Sequence, residues 1–147
     1  MSCEEKLNVF QMSYEERLNA LQLEAMHDLL ILPHIQRVFA YLCDAATDYH
    51  DAANVHSVKI IAQFTGLSKY YVKIAIKALV ECGLVERTTC GFPWRSYETA
   101  CGTEWDEPHP PVNGFGLTDK GYETKTYKKA HEMMEEYYRL ACEEIEV

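Results

Sequence analysis

Residues 58–85 read VKIIAQFTGLSKYYVKIAIKALVECGLV, and the reading of this stretch decides the fold. Val55, Val58, Ile61 and Ala62 recur at helical steps and predict a helix of about three turns beginning near His56 and Ser57. Phe64, Thr65, Gly66 and Leu67 predict a tight turn, in which Gly66 can take the positive φ that other residues resist. Ser68 then stands where its hydroxyl can accept a backbone N–H from the first turn of a second helix. That helix directs Val72, Ala75, Ile76 and Leu79 inward. Gly83 is placed to end it in a left-handed conformation, before Leu84 and Val85 enter an extended segment. Two helices joined through a short glycine-containing turn make a helix-turn-helix unit.

Charge sets this stretch apart from the rest of the chain. The 147 residues carry 23 acids against 14 Lys and Arg, a formal net charge of −9, which weighs against non-specific coating of nucleic acid. Yet residues 52–80 hold no acid, while Lys59, Lys69, Lys73 and Lys77 all fall there. Lys69, Lys73 and Lys77 repeat at i and i+4 and share an outer face with Tyr70 and Ile74, opposite Val72, Ile76 and Leu79. Lysine on such a face can reach phosphate or guanine O6/N7, and tyrosine can bond phosphate or press on a thymine methyl. At Ser68 a phosphate would also meet backbone N–H groups and the helix dipole. The candidate DNA-binding set is therefore Ser68, Lys69, Tyr70, Tyr71, Lys73 and Lys77, with Lys59 and Arg87 as backbone contacts. The competing role for these lysines is plain solvation of an exposed helix.

Toward the N-terminus, Ser13 with Glu15 and Glu16 marks a helix start. Leu18, Leu21, Ala25, Leu29 and Leu32 then recur over about five turns, up to Pro33. Pro33 suits the first turn of a further helix, whose apolar stripe is Ile35, Val38, Phe39, Leu42 and Cys43. Residues 47–54 are polar enough to be a connection, and His34, Asp48, His50 and Asp51 match no metal-ligand spacing. Toward the C-terminus, residues 120–147 predict a helix on which Tyr127, Ala130, Met134, Tyr137 and Ala141 step by three and four, a heptad seam. Such a seam can pack on the N-terminal helix of its own chain or, together with it, on a second subunit.

A chain of this length suits one domain with a proper core, and 48% hydrophobic with 25% charged residues is the composition of a folded protein. No apolar run approaches the length needed to span a bilayer, and the first ten residues lack the pattern of a signal peptide. Six cysteines without a CxxC pair read as reduced thiols, so a cytoplasmic location with no membrane contact is expected. There is no HExxH, no GxSxG and no glycine-rich phosphate loop, and no cysteine has a histidine at a telling spacing. No enzymatic activity is expected.

Ile61, Ala62, Gly66, Leu67, Ser68, Val72, Ile76, Leu79, Gly83, Leu84 and Val85 fall without a gap on the pattern of winged-helix transcriptional regulators, which the chain resembles. Gly116, Leu117, Thr118, Asp119, Lys120 and Gly121 are similar to the LTxxG that follows the wing in MarR- and PadR-like regulators. The resemblance covers residues 35–125 and implies a mainly α fold with a small β-hairpin. In that fold a winged helix-turn-helix core over residues 33–118 is flanked by an N-terminal helical arm (1–32) and a C-terminal helix (119–147). It also implies sequence-specific binding of double-stranded DNA, transcriptional regulation, and a homodimer built by the terminal helices. The interface candidates are Leu21, Leu29, Tyr127, Met134, Tyr137 and Ala141. Paired half-sites about one helical turn apart are then expected.

Within that pattern residues 85–89 supply the first strand and residues 114–118 the returning one. The interval CGFPWRSYETACGTEWDEPHPPVN (residues 90–113) is long for a wing, and Glu98, Glu104, Asp106 and Glu107 outnumber Arg95 in it. A wing touches DNA through basic residues, so Arg87 and Arg95 are its only candidates. Trp94, Tyr97 and Trp105 can instead cover the core or form a patch for a protein partner. The alternative reading is thus a winged helix used as a protein–protein interaction module. Cys90, Cys101 and His109 are irregularly spaced and would need Asp106 or Glu107 as a fourth ligand, so no metal and no cofactor are expected. No residue set marks an effector pocket between the terminal helices and the core.

Overall fold

Serine caps, helical periodicity and two left-handed glycines divide the chain into short elements. The computed structural model describes residues 12–28, 32–47, 56–90, 95–99, 102–106 and 112–146, with the backbone alone over 88–90, 95–99, 102–106, 112–113 and 144–146. Helix α1 (Tyr14–Ala25) leads through a 3₁₀ turn (Met26–Asp28) to α2 (Pro33–Ala46), α3 (Val58–Thr65) and α4 (Lys69–Glu81). Strands β1 (Val85–Cys90), β2 (Arg95–Thr99), β3 (Gly102–Asp106) and β4 (Val112–Leu117) follow, then α5 (Asp119–Tyr122) and α6 (Lys125–Glu146). The protein is mainly helical, with a small antiparallel sheet in which Val85 pairs with Leu117 and Arg87 with Phe115. His56 adds a single bridge to Phe115, whose N–H donates to the His56 carbonyl at 3.0 Å.

Helix α2 is the centre of the core. Its residues from Val38 to Cys43 are all buried, as befits a helix that packs on α1, α3, α4, α6 and β4 at once. Around Phe39 and Leu42 gather Leu18 and Leu21 of α1, Ile61 of α3, Val72, Ala75, Ile76 and Leu79 of α4, and Ala130 and Met133 of α6. The four inward residues expected on α4 are thus the four that are buried.

Local hydrogen bonding explains where α3 and α4 begin and end. Ser57 Oγ accepts the Ile60 N–H at 3.3 Å and Ser68 Oγ accepts the Tyr71 N–H at 3.2 Å, so each helix starts on a serine cap. Gly66 (φ +77°) closes α3, and only three residues, Gly66, Leu67 and Ser68, separate α3 from α4. At the far end of α4 the Gly83 N–H donates to Val80 O and the Leu84 N–H to Leu79 O. With Gly83 at φ +79°, this is the Schellman arrangement, and it turns the chain sharply into β1.

The segment after β4 locks onto that same corner. Thr118 N–H donates to Leu84 O at 3.1 Å, Thr118 Oγ1 to Gly83 O at 2.5 Å, and Lys120 Nζ to Cys82 O at 3.0 Å. The Thr118 hydroxyl also accepts the Gly121 N–H, capping α5. A Cβ at Gly121 would lie 2.4 Å from Leu84 O, which leaves no space for a side chain. The leucine-threonine-x-x-glycine spacing is therefore the contact pattern of a clamp on the end of α4.

Three elements differ from expectation. Helix α1 stops at Ala25 rather than running to Leu32, which lies in extended backbone as the N-cap of α2. The reason is Asp28: its carboxylate accepts the Lys125 and Thr126 N–H groups (3.1 and 3.0 Å) and the Thr126 hydroxyl (2.6 Å), so it caps α6 instead of continuing α1. The C-terminal helix accordingly breaks into α5 and α6. Finally, the interval expected as a wing loop contains its own antiparallel pair, with Arg95 opposite Asp106 and Thr99 opposite Gly102. Only Ala100 and Cys101 separate those strands, without the Asn-Gly or Asp-Gly that advertises a two-residue turn.

Candidate nucleic-acid interface

Helix α4 presents one face to the core and the other to solvent. Lys69, Lys73 and Lys77 are exposed, together with Tyr70 (68%), Tyr71 (50%) and Ile74 (38%). Ser68 is exposed at the N-terminus, where its Oγ accepts from Tyr71 and its hydroxyl proton can still be given to an anion. The amides of Lys69 and Tyr70 precede the helical ladder, as the first amides of any helix do. Lys59, in the first turn of α3, is exposed. All of this falls within the acid-free residues 52–80, and the next acid, Glu81, is the last residue of α4.

Arg87 stands apart, on β1. It is exposed, with its guanidinium 5.5 Å from the Phe115 ring centroid of the paired strand, a cation–π contact that holds the side chain against the sheet. Tyr71 leans the other way: its ring lies 5.5 Å from that of His34 in the first turn of α2, and Tyr70 meets Tyr71 edge-on at 5.6 Å. His34 is an addition to the residues expected on this face. Its Nε2 is buried with no hydrogen-bond partner, and no periodicity links it to α4, because the contact is tertiary.

The interface candidates of the terminal helices are dispersed. Leu21 is fully buried inside its own chain, so its side chain belongs to the core and is not offered to a partner. Leu29 lies outside the described residues. On α6 it is Met133 that joins the core, while Met134 is half-buried, Tyr127 packs on the Tyr122 ring at 4.8 Å, Ala141 is half-buried and Tyr137 is 42% exposed. The first half of α6 packs on α1 and α2 of the same chain, aided by a Lys129–Glu24 ion pair at 3.5 Å.

Between α1, α2, α3 and α6 lies a cleft of about 220 Å³, walled by Tyr14, Tyr41, Phe64 and Met134. Its floor includes Arg17 and Asp44, joined through Nε at 2.8 Å and Nη2 at 3.2 Å. That pair is internally neutralised. Burial first, then the Asp44 charge, pushes the Tyr14 hydroxyl well above the usual tyrosine range. Burial likewise raises the thiol of Cys43, with Asp28 adding to the shift. Cys43 is therefore no nucleophile, whereas Cys82 and Cys142 are exposed.

Among the described residues no group of three or more His, Cys, Asp or Glu could hold a metal ion. The side chains of Cys90, Trp94, Arg95, Tyr97, Cys101, Trp105, Asp106, Glu107 and His109 lie outside the described ones. No helix among the described residues is long and apolar enough to cross a membrane. No protein-family model, curated protein or solved structure matches the chain.

Proposed function

We propose that this protein is a winged helix-turn-helix DNA-binding protein of the MarR- and PadR-like kind, and that it regulates transcription as a homodimer in the cytoplasm. One observation carries the reading: the outward face of α4 displays Lys69, Lys73 and Lys77 in a 29-residue stretch without an acid, on a chain of net charge −9. Two helices serving only for solvation in so acidic a protein have no reason to exclude acids over that length. Helix α4 enters the major groove. Ser68 and the first amides of α4 meet a phosphate, and Lys59 and Arg87 contact the backbone to either side. The acidity of the remainder lowers non-specific affinity, so two half-sites bound at once supply much of the strength.

Fluorescence anisotropy on labelled duplexes recovered from a genomic pull-down tests this. Binding is expected at low salt and should weaken steeply as salt rises, because each phosphate contact releases counterions. Lys73→Glu with Lys77→Glu should abolish it without loss of folded helix content. Absence of binding at low salt, or binding untouched by the double substitution, overturns the reading.

A further inference from the structure

Over the first half of α4 the centre of the outward face carries Tyr70 and Ile74, and we propose that these read thymine methyl groups in the major groove. The inference rests on the DNA-binding reading above and names what that site selects. At 100° per residue, buried Val72, Ala75, Ile76 and Leu79 define the inward direction of α4. Directly opposite them stand Tyr70 and Ile74, one turn apart and 68% and 38% exposed. Lys69 and Lys73 lie on one shoulder of this face, and in the second half of the helix Lys77 and Glu81 take its centre. A helix lying in the groove thus aims its lysine shoulder toward a phosphate strand and its apolar centre toward the base edges.

What α4 lacks matters equally. Residues 68–81 contain no Arg, Asn or Gln, whose planar groups pair with guanine or adenine edges, and only Lys69, Lys73 and Lys77 could reach guanine O6/N7. Lysine is a flexible point charge and discriminates weakly. The thymine C5 methyl is the apolar group that base pairs project into the major groove, so it is the natural counterpart of Tyr70 and Ile74. Both side chains are suited to it. Ile74 is β-branched and stiff at χ1, and the Tyr70 ring is braced edge-on by Tyr71, which is itself packed on His34. Little freedom is lost on contact, so each methyl covered should change affinity by about fourfold.

The test uses the full chain and duplexes retained from a random-sequence pool at low salt. Thymine is expected at fixed positions in the retained sequences. Replacing those thymines by deoxyuridine removes only the methyls and should weaken binding about fourfold per contacted methyl. The double variant Ile74→Ala with Tyr70→Ala should bind the deoxyuridine and thymidine duplexes alike, since both partners of the methyls are gone, and each single variant should lose part of the difference. Retained duplexes whose affinity ignores the deoxyuridine exchange overturn this inference while leaving DNA binding intact. A pool from which nothing is retained overturns the DNA-binding reading, and this one with it.

Discussion

A methyl group at residue 121 would meet Leu84 O at 2.4 Å, closer than any real contact, and the obstacle is backbone rather than a side chain that could swing aside. Gly121→Ala should therefore cost about 1–3 kcal/mol in urea unfolding, through the overpacking it forces at the end of α4. The leucine-threonine-x-x-glycine spacing was legible as a pattern, but its reason is the set of bonds from Thr118 and Lys120 to the carbonyls of Gly83 and Cys82. At the same scale, each of Lys69, Lys73 and Lys77 that touches phosphate should reduce the salt slope of DNA binding by about one unit when replaced by Ala, measured by anisotropy titrations. His34 shows what residue-level reading leaves out. It sits in the first turn of another helix, and only the packing of α2 against α4 carries it to Tyr71.

At the scale of elements, two charged side chains tie the helices together. Asp28 caps α6 from a distance of 97 and 98 residues, and its partner Thr126 is fully buried. Asp28→Ala should cost about 2 kcal/mol in urea unfolding, from the lost cap and the stranded Thr126 hydroxyl, and should lower the total helix content seen by circular dichroism. Arg37 on α2 donates from Nε to Thr65 O at the end of α3, from Nη1 to Asn19 and Gln22, and from Nη2 to Glu15 of α1. One planar fork thus fixes three helices. Arg37→Lys should lose most of that, about 1–3 kcal/mol by urea unfolding, because an ammonium cannot hold the same geometry. Neither tie was visible beforehand. The leucine period of α1 ran on to Leu32 in the sequence, and nothing local announced that Asp28 would leave it.

For the whole molecule, alkaline pH is the sensitive direction. The thiol of Cys43 ionises near 9.0 in an unfolded chain and is raised by burial in the folded one, so the unfolded state releases its proton first. The stability linked to Cys43 is whole below pH 9 and falls above it while the folded thiol stays protonated. Tyr14 adds a further loss once pH passes 10.0. Urea unfolding across pH 8–11 should show this decline, and Cys43→Ala should delay its onset to the tyrosine range. Assembly belongs to the same scale. Light scattering of the purified chain at tens of micromolar should give a dimer mass, and a monomer would remove the terminal helices from the proposed interface.

The sequence alone determined the α3–α4 unit and its charged face. Serine caps, left-handed glycines and the inward spacing of Val72, Ala75, Ile76 and Leu79 are all local effects, set within a few residues by backbone geometry. Tertiary structure decided where α1 stops, that Met133 rather than Met134 enters the core, that Leu21 is internal, and that Arg95–Thr99 pairs with Gly102–Asp106. Those outcomes depend on which distant surface arrives opposite a helix or strand. Periodicity identifies an apolar face to within about one residue of rotation, and the partner's packing chooses the side chain that fills the space.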